Sequence, residues 1–462
     1  DSVFAGQTSD MVQLKYTWVI SSDVKEIKSE DKFGIFKVNE LEPLTLENDG
    51  SLSLSKDSTI DIAGNMKFKV ADSDDTRLYP FVKITTPGKV EVRGTVSQLQ
   101  AIANFSVNKW DARNFAGFWY DIDDNKSTET LEVIAFKDNR TIDKDNLIYK
   151  TGRETQKYKV FKEKGSLVDN GLNDKLVKAS SPAKGGYYAI VGWMAEKYIA
   201  VNGKNNKLSK LVLEQSATDK QTLQVGGVWD LGEGYTLTAQ SIDAKASPRQ
   251  AWLVLNKDGV KLDDKVIEQG KVYTYSMKSL AGENDVPVFV TYVDSVFAGQ
   301  TSDMVQLKYT WAISTVVKEI KSDDDFGTFK VSDLEPLTLK NDGTLSLSRD
   351  STIDLAGEMK FKVADSVDSD VRFYPKVDYE ITNETVKPIG NETPVQTTAA
   401  IGNETPVPTV TTIGNETPVG GTETPTGTVP IATTKKPTPG FEAIIAIAGL
   451  IAVAFVVLRQ RR

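Results

Sequence analysis

One long segment of the chain occurs twice, and this duplication limits the possible folds more than any other feature of the sequence. Residues 1–73 return as residues 294–366 without a gap, with 60 identical and 13 different positions. After a two-residue insertion, Arg77-Leu78-Tyr79-Pro80 aligns with Arg372-Phe373-Tyr374-Pro375. Such similarity shows that the segment was duplicated.

The start of the second copy decides between two arrangements of these units. The chain is either a small, a large and a second small domain, or a tandem of one large unit whose first copy lacks its front. Residues 286–305 read VPVFVTYVDSVFAGQTSDMV, which is strand-forming across Asp294 and has its one proline near the beginning. The second copy thus begins inside a structural element, which favours the tandem.

Both copies end in linker-like sequence, Thr85-Thr86-Pro87-Gly88 in the first and Thr382-Asn383 in the second. We therefore expect a complete unit at 89–381, a linker at 83–88, and the C-terminal part of a truncated first unit at 1–82. The repeat offset of 293 and the absence of an initial Met predict that about 200 further residues and a signal sequence lie upstream.

Short alternating runs bounded by turn residues predict β-strands nearly throughout. The predicted strands are 89–96, 131–136, 158–161, 187–201, 208–213, 235–242, 251–255, 271–275 and 286–293. Asn-Asp-Gly at 48–50 and 341–343, and Lys257-Asp258-Gly259, predict hairpin turns. The predicted fold class is all-β, with two β-sandwich subdomains per unit that divide near residue 220.

The C-terminal end predicts a membrane anchor. Residues 441–458 read FEAIIAIAGLIAVAFVVL and are apolar on every side of a helix, apart from Glu442 at the entrance. A helix of this size is about 27 Å long, close to the roughly 30 Å hydrocarbon core of a bilayer. The basic tail at 459–462 is expected in the cytoplasm, so everything before residue 441 is expected outside the cell.

A stalk is predicted at 382–440. Residues 383–440 contain nine of the chain's 17 prolines and 16 threonines, and no aromatic residue, so they cannot bury enough apolar surface to fold. Ile-Gly-Asn-Glu-Thr-Pro-Val recurs there three times, as in a linker. The stalk contains four N-glycosylation sequons, at Asn383, Asn391, Asn403 and Asn415.

Composition excludes several classes of function. The chain contains no Cys and no His, which removes disulfides, thiol nucleophiles and the commonest metal ligand and general base. With 55 basic and 64 acidic residues its formal charge is −9, so no basic surplus is available for a nucleic-acid partner. We expect no cofactor.

The densest acidic cluster, Asp121-Ile122-Asp123-Asp124-Asn125, is a candidate metal site. With Glu132 it fills four positions of an EF-hand loop, but Lys126 replaces the required glycine and no flanking helices are predicted. Asp121, Asp123 and Asn125 stay as a weak candidate for another kind of calcium site, and a solvated turn is the alternative. The folded unit contains three sequons, at Asn104, Asn125 and Asn139.

An enzyme without His or Cys would have to use carboxylates, Lys, Ser or Tyr. Glycosidases are a class for which two carboxylates suffice, but no pair stands out among the acidic residues. Five tryptophans could line a sugar cleft, although aromatic residues at strand spacing belong more often to a core. These are Trp110, Trp119, Trp193, Trp229 and Trp252. We therefore predict that the chain is not an enzyme.

Several separated motifs together resemble the Methanosarcina-type archaeal S-layer proteins. They are WDARNFAGFWYDIDDN at 110–125, WDLGEGYTL at 229–237, Ile242-Asp243 and LNKDG at 255–259. The resemblance covers the whole chain and implies tandem S-layer duplication domains that form a glycosylated lattice. Pro439-Gly440-Phe441 before the apolar span resembles the PGF-type C-terminal signal, which implies cleavage by an archaeosortase and replacement of the span by a lipid.

These features predict a structural protein of the cell envelope that assembles with copies of itself into a porous surface layer, anchored to the membrane and modified by N-linked glycans. The negative charge predicts pores that favour small cations. A membrane-anchored adhesin or carbohydrate-binding surface protein is the alternative, and an envelope hydrolase is a third class. Abundance in the cell envelope and an ordered lattice in electron micrographs would separate the first class from the others.

Overall fold

The computed structural model describes residues 2–4, 11–100, 108–138, 140–160, 186–216, 218–382 and 386–388, and these form β-strands joined by turns. The expected all-β class is confirmed for them. The predicted span at 441–458 and nearly all of the predicted stalk lie outside the described residues. Within the described residues, no helix has the length and apolarity needed to cross a membrane.

The first copy of the repeated segment forms eight short strands. They are β1 (Ser2–Phe4), β2 (Met11–Gln13), β3 (Lys32–Phe33), β4 (Phe36–Leu41), β5 (Leu44–Asn48), β6 (Thr59–Ala63), β7 (Met66–Val70) and β8 (Leu78–Val82). Strands β3 to β5 form one antiparallel sheet and β6 to β8 form another.

The rest of the described chain continues the strand order to β34. The first part comprises β9 (Gly88–Arg93), β10 (Ser97–Gln100), β11 (Asn108–Asp111), β12 (Thr130–Val133), β13 (Thr141–Ile142), β14 (Leu147–Thr151), β15 (Glu154–Lys157), β16 (Tyr187–Trp193), β17 (Glu196–Ala200), β18 (Lys207–Glu214) and β19 (Gln221–Gln224). A 3-10 turn at Val201–Gly203 lies between β17 and β18.

The second part contains the four strands of a compact sheet and then the second copy of the repeat. It comprises β20 (Val228–Gly232), β21 (Tyr235–Asp243), β22 (Gln250–Lys257), β23 (Val260–Glu268), β24 (Val272–Leu280), β25 (Glu283–Phe297), β26 (Met304–Glu319), β27 (Asp325–Phe326), β28 (Phe329–Leu334), β29 (Leu337–Asn341), β30 (Leu345–Ser346), β31 (Thr352–Ala356), β32 (Met359–Val363), β33 (Asp370–Ile381) and β34 (Val386–Pro388).

Strands from the two ends of the segment 88–382 pair with each other. β14 lies beside β29, with Tyr149 opposite Leu339. β9 and β10 both pair with β33, so that Val90 lies opposite Tyr379. The result is two six-stranded sheets, β11-β12-β14-β29-β28-β27 and one in which β33 joins β9, β10, β32 and β34, with β31 beside β32.

The middle of the unit forms an eight-stranded and a four-stranded sheet. The first runs β15-β16-β17-β18-β26-β25-β24 with β19 beside β26, and the second runs β20-β21-β22-β23. We predicted a division near residue 220. The strands on either side of that position share one sheet, because β18 and β19 both pair with β26.

Three apolar cores pack against these sheets. The first fills the space between the six-stranded sheets around Trp110, Tyr149 and Phe361. The second lies between the four-stranded sheet and β24 to β26, and the third, around Trp311, covers the other face of the eight-stranded sheet. Sheets packed face to face around buried alternate residues are the arrangement of β-sandwiches.

Some local predictions are confirmed and others are wrong. β25 runs without interruption across Asp294, as its apolar run predicted, and Asp258-Gly259 forms a two-residue hairpin turn with positive φ at both positions. The strand predicted from Tyr158 is instead β15, which ends at Lys157. Neither Asn-Asp-Gly forms a hairpin turn: 341–343 joins β29 to β30 and 48–50 lies between β5 and β6, and in both cases the two strands belong to different sheets.

Candidate functional site: interaction surfaces of the repeat unit

The acidic cluster forms a tight turn before β12. Main-chain hydrogen bonds join Asp121 and Lys126 in both directions, at 2.9 and 3.0 Å. The Asp121 Oδ1 atom accepts the N–H groups of Asp123 and Asp124, each at 3.1 Å. This side chain therefore holds the turn in shape, which is what short acidic side chains do at such positions.

Three further side-chain oxygens of the turn accept hydrogen bonds from other protein donors. Asp123 Oδ1 accepts the N–H of Asp72 at 2.7 Å, and Asn125 Oδ1 accepts the Tyr120 hydroxyl at 3.0 Å. The Asp124 carboxylate accepts the Gln156 amide. Within the part of the chain that the structure describes, no three His, Cys, Asp or Glu side chains are grouped to hold a metal ion.

Lys126 extends from the turn into the protein surface. Its Nζ donates to the Thr155 carbonyl at 2.7 Å and to Gln156 Oε1 at 3.0 Å. Burial lowers the pKa of Lys126, while the carboxylates of Asp124 and Asp121 act in the opposite direction. The position where an EF-hand needs glycine is thus occupied by a side chain that ties the turn to β15.

Asn125 is the one candidate glycosylation residue that the described residues contain. It is exposed at the end of the turn and has a positive φ of 51°, which asparagine tolerates better than most residues. The other candidates lie outside the described residues. They are Asn104, Asn139, Asn383, Asn391, Asn403, Asn415 and the processing signal Pro439-Gly440-Phe441.

The five tryptophans that were candidates for the lining of a sugar cleft do not lie in one place. Trp110 and Trp193 are buried in the first core, whereas Trp229 packs against the second and Trp119 against the third. Trp252 is 38% exposed, and its Nε1 donates to Asp264 at 2.8 Å. They do not converge on a cleft, so the core interpretation holds for all but Trp252.

The structure also reveals two arginines whose roles were not predicted. Arg77, in the first copy, donates to the main-chain carbonyls of Ile122 and Asp123 in the acidic turn. Arg140 donates to the Leu347 carbonyl at 2.7 Å, to Asp368 at 2.6 Å and to the Ser366 carbonyl. Nothing in the neighbouring sequence indicates such distant acceptors, although Arg77 does recur as Arg372 in the repeat.

An apolar strip of the first copy is exposed. Every residue from Val12 to Ile20 is exposed, whereas the apolar counterparts of this segment in β26 are buried. The exposed residues are Val12, Leu14, Tyr16, Trp18 and Ile20, and the buried counterparts are Val305, Leu307, Tyr309, Trp311 and Ile313. A strip of this kind marks an interaction surface.

Comparison with known proteins identifies the family. The sequence profile described as "S-layer protein" matches residues 1–72 and 99–365, which is well over half of the chain. The chain belongs to the S-layer protein family. A second profile, described as "PGF-CTERM motif", matches residues 438–460, so this family member is a cell-surface protein with a membrane-anchoring signal.

Three relatives named "Major S-layer protein" come from Methanosarcina species. The protein of M. barkeri is 35% identical over 480 residues, which cover 100% of this chain and 67% of that protein. The M. acetivorans protein is 35% identical and covers 100% of this chain, and the M. mazei protein is 33% identical and covers 84% of it. The chain spans 66% of the M. acetivorans relative and 55% of the M. mazei relative.

Proposed function

We propose that this S-layer family member is a structural protein that assembles with copies of itself into a porous surface layer. The observation that carries the proposal is family membership across both copies of the repeat. Repeated, nearly identical domains offer repeated contact surfaces, and contacts that close around symmetry axes produce sheets with pores. No catalytic role is part of this proposal, since the three relatives carry the names of layer proteins.

We further propose that residues 89–381 are one complete unit and that residues 1–82 belong to another. The pairing of β9 with β33 closes the unit by joining its first and last long strands. In the described part of the first copy, β5 and β8 each lie at the edge of a sheet. Their counterparts in the second copy have neighbours on that side: β14 lies beside β29, and β9 and β10 lie beside β33. Together with the exposed strip, these edges fit the front of a second unit.

The anchoring signal supports a defined mode of attachment. We propose that the stalk at 382–440 holds the folded units away from the bilayer and carries N-linked glycans at Asn383, Asn391, Asn403 and Asn415. An archaeosortase would cleave at the motif around Pro439-Gly440-Phe441 and replace the apolar span by a lipid. Mass spectrometry of the mature C-terminus tests this step, because an intact residue 462 would contradict it.

The net charge supports a sieving role. A formal charge of −9 per chain gives any pore between chains a negative potential, which attracts small cations and retards anions. Electron microscopy of native envelopes and of the purified protein tests for the layer itself. Permeability to cationic and anionic solutes of matched size tests the charge, and equal rates at low salt would contradict it.

A further inference from the structure

The contact between the first copy and the complete unit is built around one arginine. Arg77 lies at the end of the β7–β8 hairpin and faces the acidic turn at 121–126. Its Nε donates to the Ile122 carbonyl at 2.9 Å, and its Nη2 donates to the next carbonyl, that of Asp123, at 2.6 Å. One guanidinium thus binds two consecutive main-chain oxygens of the following unit.

The hairpin holds this arginine in position and adds a bond of its own. Nη2 also donates to Ser73 Oγ at 2.6 Å, and Nη1 lies 3.3 Å from an Asp75 carboxylate oxygen. The Asp72 N–H donates to Asp123 Oδ1 at 2.7 Å. The contact therefore uses donors from the hairpin and acceptors from the turn, and the Arg77 side chain is only 20% exposed.

Hydrogen bonds from a charged group to neutral acceptors are stronger than those between neutral groups, and the planar guanidinium fixes their direction. Such a contact can set an orientation, whereas a linker of six residues cannot.

The second copy shows the same hairpin without such a neighbour. Arg372 occupies the position of Arg77, but its side chain is 46% exposed and lies 3.4 Å from Asp370 of its own hairpin. The main chain there pairs with β10, with Gln98 opposite Arg372. The two copies thus differ in whether their hairpin meets the acidic turn of a following unit.

We propose that the acidic turn at 121–126 is a recognition site for the trailing hairpin of the preceding repeat unit, and that Arg77 fixes the orientation of consecutive units. This inference rests on the proposed division into units. It gives the turn a partner of stated chemistry, a hairpin with an arginine fork and, five residues before that arginine, the main-chain N–H of Asp72, which donates to the turn.

Distance measurements in solution test the joint. The chain contains no cysteine, so spin labels can be attached through Gly50→Cys and Gly343→Cys, which are equivalent positions of the two copies with no atom within 4 Å of an added Cβ. We expect one narrow distance distribution. Arg77→Ala should broaden it about twofold, and the Asp72 amide should exchange about tenfold faster because its acceptor is no longer held.

Arg372→Ala is the matched control, since it removes the same side chain from the equivalent exposed position, and it should leave the distribution unchanged. Arg77→Lys keeps the charge but not the fork, so it should broaden the distribution as alanine does. If Arg77→Ala unfolds the hairpin, the Arg77→Lys variant tests the proposal in its place. A distribution that is broad already in the unaltered chain, or that Arg77→Ala and Arg77→Lys leave narrow, overturns the proposal. Because no layer is needed, failure here is distinct from failure to assemble.

Discussion

Tyr149 donates its hydroxyl hydrogen to Glu129 Oε1 at 2.8 Å, and both residues are buried at the first core. The same oxygen accepts the N–H of Ala195 at 3.0 Å, and Oε2 accepts the N–H of Trp119 at 2.8 Å. One carboxylate therefore joins β14, the β16–β17 turn and the segment before the acidic turn. Buried carboxylates persist where such donors surround them.

Replacement of this carboxylate should destabilise the unit. In Glu129→Gln, the NH2 group that replaces one carboxylate oxygen cannot accept a hydrogen bond, so at least one of the three buried donors loses its partner. We expect the free energy of unfolding at pH 8 to fall by about 1–3 kcal/mol, measured by chemical denaturation. Glu154→Gln, at an exposed position of β15, is the control and should change it by less than about 0.5 kcal/mol.

Stability should also depend on pH through Glu129. Burial raises the pKa of Glu129 to about 7, although its hydrogen bonds act against this. Between the ordinary pKa of a glutamate and about 7, the folded state binds more protons than the unfolded state, so stability falls as pH rises. The difference between wild type and Glu129→Gln should therefore be about 2 kcal/mol larger at pH 5 than at pH 8. A constant difference would contradict this.

The second unpredicted residue, Arg140, should be important for a different reason. It joins the first part of the unit to the second copy through two main-chain carbonyls and Asp368, and its side chain is mostly buried. Arg140→Ala should lower the free energy of unfolding by about 2–4 kcal/mol, because buried acceptors lose a charged donor. Arg349 reaches the same Asp368 from an exposed position at 3.4 Å, so Arg349→Ala should cost less than about 0.5 kcal/mol. Equal losses would contradict the assigned role.

The local sequence pattern correctly predicted structural features that depend only on neighbouring residues. The apolar run before Asp294 became β25, and Asp258-Gly259 became a hairpin turn because glycine and a short polar residue tolerate positive φ. Asn341-Asp342-Gly343 likewise predicted a hairpin turn. The Asn341 side chain instead accepts the Leu147 N–H and donates to the Asp143 carbonyl. Those partners are about 200 residues away in sequence, and no local pattern shows them.

The interaction surfaces were predicted in part for the same reason. The acidic cluster was recognised, and its alternative interpretation as a turn is what the structure shows. Its partner Arg77 was noticed only as a repeated residue, because the contact depends on how the hairpin and the turn meet in space. The pairing of β9 and β14 with strands of the second copy likewise joins segments that the sequence separates.

The buried and exposed tryptophans should respond differently to the same type of change. Trp110 is 2% exposed, packs against Phe361 and Phe373, and donates from Nε1 to the Thr95 carbonyl at 2.8 Å. Trp110→Ala should cost about 3–5 kcal/mol in the free energy of unfolding. Trp252→Ala, on the outer face of the four-stranded sheet, should cost about 1 kcal/mol or less. We expect the unaltered chain to bind no glycan on a glycan array. Glycan binding that Trp252→Ala abolishes would instead assign Trp252 to a sugar site.

Trp18 and Trp311 occupy equivalent positions of the two copies in opposite surroundings. Trp311 is 1% exposed, with ring centroids 5.0 Å from Tyr158 and 5.4 Å from Tyr188, whereas Trp18 is 78% exposed. Trp311→Ala leaves a large cavity and should lower the free energy of unfolding by about 3–5 kcal/mol. Trp18→Ala in the same chain should change it by less than about 0.5 kcal/mol.

This pair also tests the division into units, because placing a copy of residues 89–293 ahead of residue 1 would supply the strands that cover β26 in the second copy. In that longer chain the loss from Trp18→Ala should rise towards the loss from Trp311→Ala, since both side chains would be buried by equivalent neighbours. Chemical denaturation of both variants in both chains gives the comparison. A Trp18 that remains insensitive in the longer chain would show that residues 11–24 do not complete a unit of this kind.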